Sequence, residues 1–215
     1  MKDWADAISA IARAAGDEIL AVYARDFEVT EKADASPLTQ ADLAAHRRIV
    51  SRLPELGGGL PVLSEESADI AWSERRAWSR YWLVDPLDGT REFIKKNGEF
   101  TVNIALIEDG EPVLGVVYAP VMDWLLVGGR GLGAQWHKAG ASGAASIAKA
   151  GSPLRVAASR SHRDEKTQGY LDRIGSVDTY GLGSSLKFCK IATGEIDLYP
   201  RFGPTSEWDT AAAQA

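Results

Sequence analysis

Tyr81-Trp82-Leu83-Val84-Asp85-Pro86-Leu87-Asp88-Gly89-Thr90 is the stretch on which the fold and the chemistry of this chain turn. Four aromatic or aliphatic residues in a row read as a buried strand, and the strand closes on two acids three residues apart across a Pro-containing turn. Gly89-Thr90 then opens a short helix expected to run through Phe93. Hard divalent cations such as Mg²⁺ take oxygen ligands in near-octahedral array, and Asp85 and Asp88 offer two carboxylates with the Leu87 carbonyl between them. A helix starting at Thr90 presents free N–H groups to a phosphate, so metal and anion would be neighbours. The plainer alternative makes Asp88-Gly89 a turn and Asp85 a capping acid.

Outward from this stretch, Gly57-Gly58-Gly59 breaks the chain and residues 60–63 read as a second strand, ending at Ser64-Glu65-Glu66. Strand ends gather at one edge of a sheet, which brings Glu65 towards Asp85 and Asp88; taken alone, Glu65 is a surface acid. Further upstream, Trp4, Ile8, Ile11, Ala15, Ile19 and Val22 fall on one face of a helix running to about Ala24. Thr39-Gln40-Ala41-Asp42 is a capping-box pattern that starts a second helix near Gln40 and carries it to about Arg52, before Pro54. Downstream, residues 101–107 and 112–118 flank Asp109-Gly110, a strong hairpin signal, and residues 123–127 and 133–137 extend the same antiparallel sheet.

Small residues dominate 139–145, and with Gly151-Ser152-Pro153 they mark the best boundary in the chain. Residues 1–150 form an expected α+β metal-binding unit, and residues 151–215 an α/β unit of alternating elements: strand 154–158, helix 163–174, strand 177–180, helix 184–193 stopped by Gly194, strand 196–199. Ser184, Ser185 and Lys187 follow Gly181 and Gly183 at a helix start, a layout suited to a second phosphate, although a helical lysine is commonly only a solvated charge. Asp209, in Ser206-Glu207-Trp208-Asp209, is either a capping acid or a further metal ligand.

Composition narrows the function. With 45% hydrophobic and 25% charged residues in 215, the chain is neither disordered nor fibrous. A net charge of −6 argues against a nucleic-acid polymer as partner. Cys189 is the single cysteine and is expected to be a small buried hydrophobe; with three histidines there is no disulfide and no structural zinc cluster, which suits a reducing cytosol. Asp3, Asp6 and Asp17 make the first helix unlike a secretory signal, and no apolar run approaches about 18 residues, so no transmembrane segment is expected. The expected location is the cytoplasm, with peripheral association at the inner membrane left open. Trp4, Trp72, Trp78, Trp82, Trp124 and Trp136 read as packing residues rather than base-stacking platforms.

Ser64-Glu65-Glu66, Asp85-Pro-Leu-Asp-Gly-Thr90 and Trp208-Asp-Thr-Ala-Ala212 together resemble the signature set of the inositol-monophosphatase-like, lithium-sensitive, Mg²⁺-dependent phosphatases. The run from Asp85 to Ile107, with Gly183-Ser-Ser-Leu-Lys-Phe-Cys189, is similar to the bacterial 3′(2′),5′-bisphosphate nucleotidases of that family. The resemblance implies an α/β, layered αβαβα sugar-phosphatase fold, here without its last C-terminal elements, since Ala215 stands six residues beyond Asp209. It implies two or three Mg²⁺ ions held by Glu65, Asp85, Asp88, Asp209 and the Leu87 carbonyl, with Gly89 and Thr90 on the scissile phosphate. Glu65 or Asp42, acting with the Thr90 hydroxyl, would activate water. Arg201 and His162 join Ser184, Ser185 and Lys187 as substrate contacts. The implied substrate is a small bisphosphorylated nucleotide, 3′-phosphoadenosine 5′-phosphate, cleaved to AMP in sulfur assimilation. Inositol or sugar-bisphosphate hydrolysis on the same fold is the alternative within the class, and a catalytically weak nucleotide-binding protein the alternative outside it.

Overall fold

The structure is a computed structural model, and it describes residues 1–32, 37–159 and 165–215. The chain begins with α1 (Lys2–Tyr23), then a short ribbon of β1 (Val29–Glu31) paired antiparallel with β2 (Pro37–Thr39), and α2 (Gln40–Arg52). β3 (Val62–Ser64), the single turn α3 (Trp72–Arg75), β4 (Arg80–Asp88) and α4 (Thr90–Ile94) carry the motif region. β5 (Thr101–Glu108), β6 (Glu111–Ala119), β7 (Trp124–Gly129), β8 (Gly133–Lys138) and β9 (Ala141–Ala144) follow as a meander. β10 (Leu154–Ser159), α5 (Glu165–Ile174), β11 (Val177–Leu182), α6 (Leu186–Ala192) and α7 (Ala211–Gln214) complete the described elements.

Strands β3 to β9 form one seven-stranded sheet in sequence order, antiparallel except for the parallel β3–β4 pair. Its central strands are apolar on both faces, and the alternation of side chains explains why. Trp82, Val84, Val102, Ile104 and Leu106 point to one side, where Ile8, Ile11, Ala15 and Ile19 of α1 and Ala41, Ala45 and Ile49 of α2 cover them. Leu83, Ala105, Ile107 and Val117 point to the other, against Leu186, Cys189, Ala211 and Ala212. The sheet is therefore sandwiched, the layered arrangement expected. Gly115 lets α7 lie directly on β6, because an added Cβ would stand 2.0 Å from the Ala212 carbonyl oxygen.

Most expected elements form close to where the local signals put them. Thr39 and Asp42 make a reciprocal capping box at the start of α2, and Asp109-Gly110, both with positive φ, turn the β5–β6 hairpin. Three expectations are corrected. Residues 141–144 belong to the sheet as β9, since backbone pairing with β8 needs no large side chain and tolerates the small-residue run. Residues 196–199 form no strand; Leu198 makes one isolated bridge to Val156, and Asp197 instead caps Arg155 and Gly151 with its carboxylate. Trp72 is 68% exposed, beneath the Arg75 guanidinium, and so packs no core. Cys189 is buried as expected, and burial pushes its thiol up to about 12.

Candidate active site

Sheet register builds the acidic cluster. β3 runs parallel to β4 with Ser64 opposite Val84, so the next residues along, Glu65 and Asp85, come level at the strand ends. Glu65 lies within hydrogen-bond reach of Asp85. Asp85 is two residues beyond Leu83 and therefore faces the same side of the sheet, towards α6 and α7. Between Asp85 and Asp88 the ladder with β5 is interrupted, and this bulge accommodates Pro86, which has no N–H to give. β4 thus continues through the motif rather than ending at Val84. The Leu87 N–H donates to Asp85 Oδ1 at 3.1 Å, folding the two acids towards each other. Asp209 arrives from the far end of the chain in the turn before α7: its Oδ2 accepts from the Ser206 N–H and the Thr205 hydroxyl, so the capping reading is correct. The same residue nevertheless joins Asp85 and Asp88, with one carboxylate oxygen from each lying within 4.8 Å of the others. Capping its own turn therefore does not keep Asp209 from standing beside Asp85 and Asp88.

Electrostatics marks the cluster as short of positive charge. Burial, then the charges of Glu65, Asp88 and Asp209, hold the Asp85 carboxyl well above the ordinary carboxylate range. Burial and Asp209 push Asp88 up to about 6, against the pull of Lys187 and of hydrogen bonds from Ser185. Three carboxylates, hard oxygen donors gathered against their own repulsion, fit a divalent cation such as Mg²⁺.

Thr90 and Gly89 stand beside the cluster. Gly89 is left-handed (φ 94°), and an added Cβ would meet the Glu99 carbonyl at 3.0 Å and Ser184 Cβ at 3.2 Å, so the turn into α4 has room for glycine alone. The Thr90 hydroxyl donates to Asp42 Oδ1 at 3.1 Å and lies 3.4 Å from the Leu87 carbonyl. Asp42 is buried; its Oδ2 takes the Thr39 N–H and hydroxyl, leaving Oδ1 for Thr90, and burial raises its carboxyl above the usual value.

Several residues play parts that sequence reasoning did not assign. Lys32 donates to Glu65 Oε1 and Glu66 Oε1 at 2.7 Å each. Burial works against its charge, but the two glutamates outweigh burial and lift the ammonium above its ordinary range; Glu66, mainly through burial, rises to about 7. His46 Nδ1 lies 2.9 Å from the buried Ser64 hydroxyl just before Glu65. A lone lysine and a Glu-Glu pair in sequence carry no sign of these meetings, whereas Asn103, a polar residue amid the apolar run of β5, was a visible signal.

The residues expected to read the rest of the substrate divide. Ser185 and Lys187 are both buried. The Ser185 hydroxyl is engaged by Asp88 and Asn103, and Lys187 Nζ donates to the Leu182 and Ser184 carbonyls beneath the Tyr199 ring. Donation from the Ser185 hydroxyl to a phosphate would require breaking its bond to Asp88, whereas two of the three Lys187 N–H bonds are used by the carbonyls. Ser184 sits at φ 45° beside Gly89. Arg201 donates to the Pro204 carbonyl at 2.6 Å and shares an electrostatic neighbourhood with Lys187 and Tyr199. His162 lies outside the described residues.

Comparison with known proteins gives this geometry a context. The model of the inositol monophosphatase family matches residues 1–215. The chain is 52% identical over 212 residues to the 3′(2′),5′-bisphosphate nucleotidase CysQ of Escherichia coli O157:H7, covering 98% of this chain and 85% of that protein. It is 54% identical over 207 residues to the CysQ of Salmonella typhimurium, covering 95% and 83%. The crystal structure of CysQ from Bacteroides thetaiotaomicron, a bacterial member of the inositol monophosphatase family, superposes with a TM-score of 0.88 at 42% identity over 99% of this chain and 84% of that one. On these matches the chain belongs to the inositol monophosphatase family.

Proposed function

We propose that the protein is a Mg²⁺-dependent phosphoric monoester hydrolase that removes one phosphate from 3′(2′),5′-bisphosphorylated nucleotides, converting 3′-phosphoadenosine 5′-phosphate to AMP and 3′-phosphoadenylyl sulfate to adenylyl sulfate. The observation that carries this reading is the convergence of Asp85, Asp88 and Asp209 on one point. The substrate class rests on 52% identity to a nucleotidase over 98% of the chain. Among the described residues no helix is long and apolar enough to cross a membrane.

Asp85, Asp88, Asp209, Glu65 and the Leu87 carbonyl would hold the cations. When bound, Mg²⁺ supplies charge stabilisation to the phosphoryl oxygens and to the departing oxygen. Gly89 and the first N–H groups of α4 face the scissile phosphate. The Thr90–Asp42 hydrogen bond supports Asp42 over Glu65 as the proton acceptor, because it ties Asp42 directly to the Thr90 hydroxyl. Water aligned on the Thr90 oxygen loses its proton towards Asp42, whose raised carboxyl is a better base at neutral pH than a free aspartate. The water oxygen bonds to phosphorus as the bond from phosphorus to the ribose oxygen breaks; the ribose oxygen takes a proton from solvent, and inorganic phosphate leaves. Residues 1–150 would supply this chemistry apart from Asp209, while residues 151–215 would add Asp209 to the cation site and offer Ser184 and Arg201 to the remainder of the nucleotide, with His162, outside the described residues, a further candidate.

Phosphate release from 3′-phosphoadenosine 5′-phosphate, inositol 1-phosphate and fructose 1,6-bisphosphate, with and without Mg²⁺, tests the proposal. The expected result is the highest kcat/KM on the nucleotide and none without the metal. Preference for inositol phosphate would overturn the substrate class, and nucleotide binding without turnover would leave a binding protein.

A further inference from the structure

Asn103 is out of place in its strand. It is 1% exposed, between the fully buried Val102 and Ile104, and its Oδ1 meets no hydrogen-bond partner. A buried amide left half-satisfied is destabilising, so packing alone does not account for it. Its Nδ2 donates to the Ser185 hydroxyl at 2.9 Å. Ser185, also 1% exposed and at the N-cap of α6, donates in turn to Asp88 Oδ2 at 2.7 Å and lies 2.9 Å from the Asp209 carbonyl; its backbone N–H also faces Asp88. A serine hydroxyl has one proton. With the Asn103 N–H on its lone pair, that proton goes to the stronger and nearer acceptor, the carboxylate. Register supports the arrangement: Asn103 pairs with Asp85 across β4 and β5 and so faces the cluster.

We propose that Asn103 and Ser185 form a positioning relay, Asn103 Nδ2 to Ser185 Oγ to Asp88 Oδ2, that locks the Asp88 carboxylate with its other oxygen turned to Asp85 and Asp209 and thereby sets the site's affinity for a divalent cation. The inference rests on the reading of Asp88 as a cation ligand. Ser185 is then no substrate contact: it ties the start of α6 to the metal carboxylate. Hydrogen-bonding partners behind a metal ligand typically alter metal affinity by about 10–100-fold when removed, and that is the effect expected here.

The test is Mg²⁺ titration calorimetry on the full chain, with melting temperature measured in parallel. Ser185→Ala, Ser185→Cys and Asn103→Val should each bind Mg²⁺ about 10–100-fold more weakly. Ser185→Ala removes the hydroxyl without adding volume and Ser185→Cys leaves only a weak donor, and the parallel melting temperatures separate loss of the bond from misfolding. Ser185→Thr should restore affinity, and Asn103→Val with Ser185→Ala together should be no worse than the weaker single variant. Cys189→Ala, on the same helix, should lower the melting temperature and leave Mg²⁺ affinity unchanged. Wild-type Mg²⁺ affinity in Ser185→Ala and Ser185→Cys, or additive losses in the double variant, would overturn the relay. Wild-type affinity in Asp88→Asn would instead remove the underlying assignment of Asp88.

Discussion

Replacing Asp88 with Asn should make the metal-free protein more stable while taking away its response to Mg²⁺. Burial and the neighbouring Asp209 raise the Asp88 carboxyl from 3.8 to about 6 in the folded protein. At about 1.4 kcal/mol per tenfold change in proton affinity, that difference corresponds to at most about 3 kcal/mol of strain in the ionised form. Water still reaching the partly exposed Asp88 lowers the figure. The sign follows from linkage: a group whose folded pKa is raised stabilises the fold fully below its unfolded pKa and loses that contribution as pH rises through the folded value. For Asp88 the window is about pH 4 to 6. Asn cannot ionise, and its carbonyl can still accept from Ser185. In EDTA at pH 8, Asp88→Asn should therefore melt up to about 6–12 °C above wild type, at about 2–4 °C per kcal/mol for a chain of this size. The gap should shrink at pH 4.5. Added MgCl₂ should raise the wild-type midpoint by mass action and leave the variant nearly unmoved. Calorimetric melts at both pH values, with and without Mg²⁺, decide the matter. A variant less stable than wild type in EDTA at pH 8, or equally stabilised by Mg²⁺, would refute the account of the cluster as carboxylates awaiting a cation.

Gly89→Ala should destabilise by about 1–3 kcal/mol, read as a lower denaturation midpoint, because the residue is left-handed and its Cβ would crowd the Glu99 carbonyl and Ser184. Thr90→Val should reduce kcat by about 100-fold with Mg²⁺ affinity intact, while Thr90→Ser retains most turnover; equal kcat in all three would remove the hydroxyl from proton transfer. Lys32→Met should leave Glu65 and Glu66 unpaired and cost about 1–3 kcal/mol in EDTA, with part of the loss recovered in Mg²⁺ because a cation can neutralise Glu65. An unchanged melting temperature in EDTA would make the two ion pairs incidental.

The sequence by itself determined the features whose causes are local. The capping box at Thr39 and Asp42, the Asp109-Gly110 hairpin and the helical spacing of Ile8, Ile11, Ala15 and Ile19 depend on neighbours a few residues away, and each stands where it was expected. The apolar run before Asp85 likewise placed both acids of the motif at the end of a buried strand. Only the tertiary structure decided what depends on partners remote in the chain. Whether residues 141–144 are linker or strand was settled by the free edge of β8, and residues 196–199 had a partner for a single bridge. Asp209 caps its turn by local rules, yet it joins Asp85 and Asp88 only because α7 packs on β6 across Gly115. Ser185 and Lys187 read in sequence as groups offered to a ligand, and burial turned their polar atoms inward, since a donor withdrawn from water takes the nearest acceptors the fold supplies.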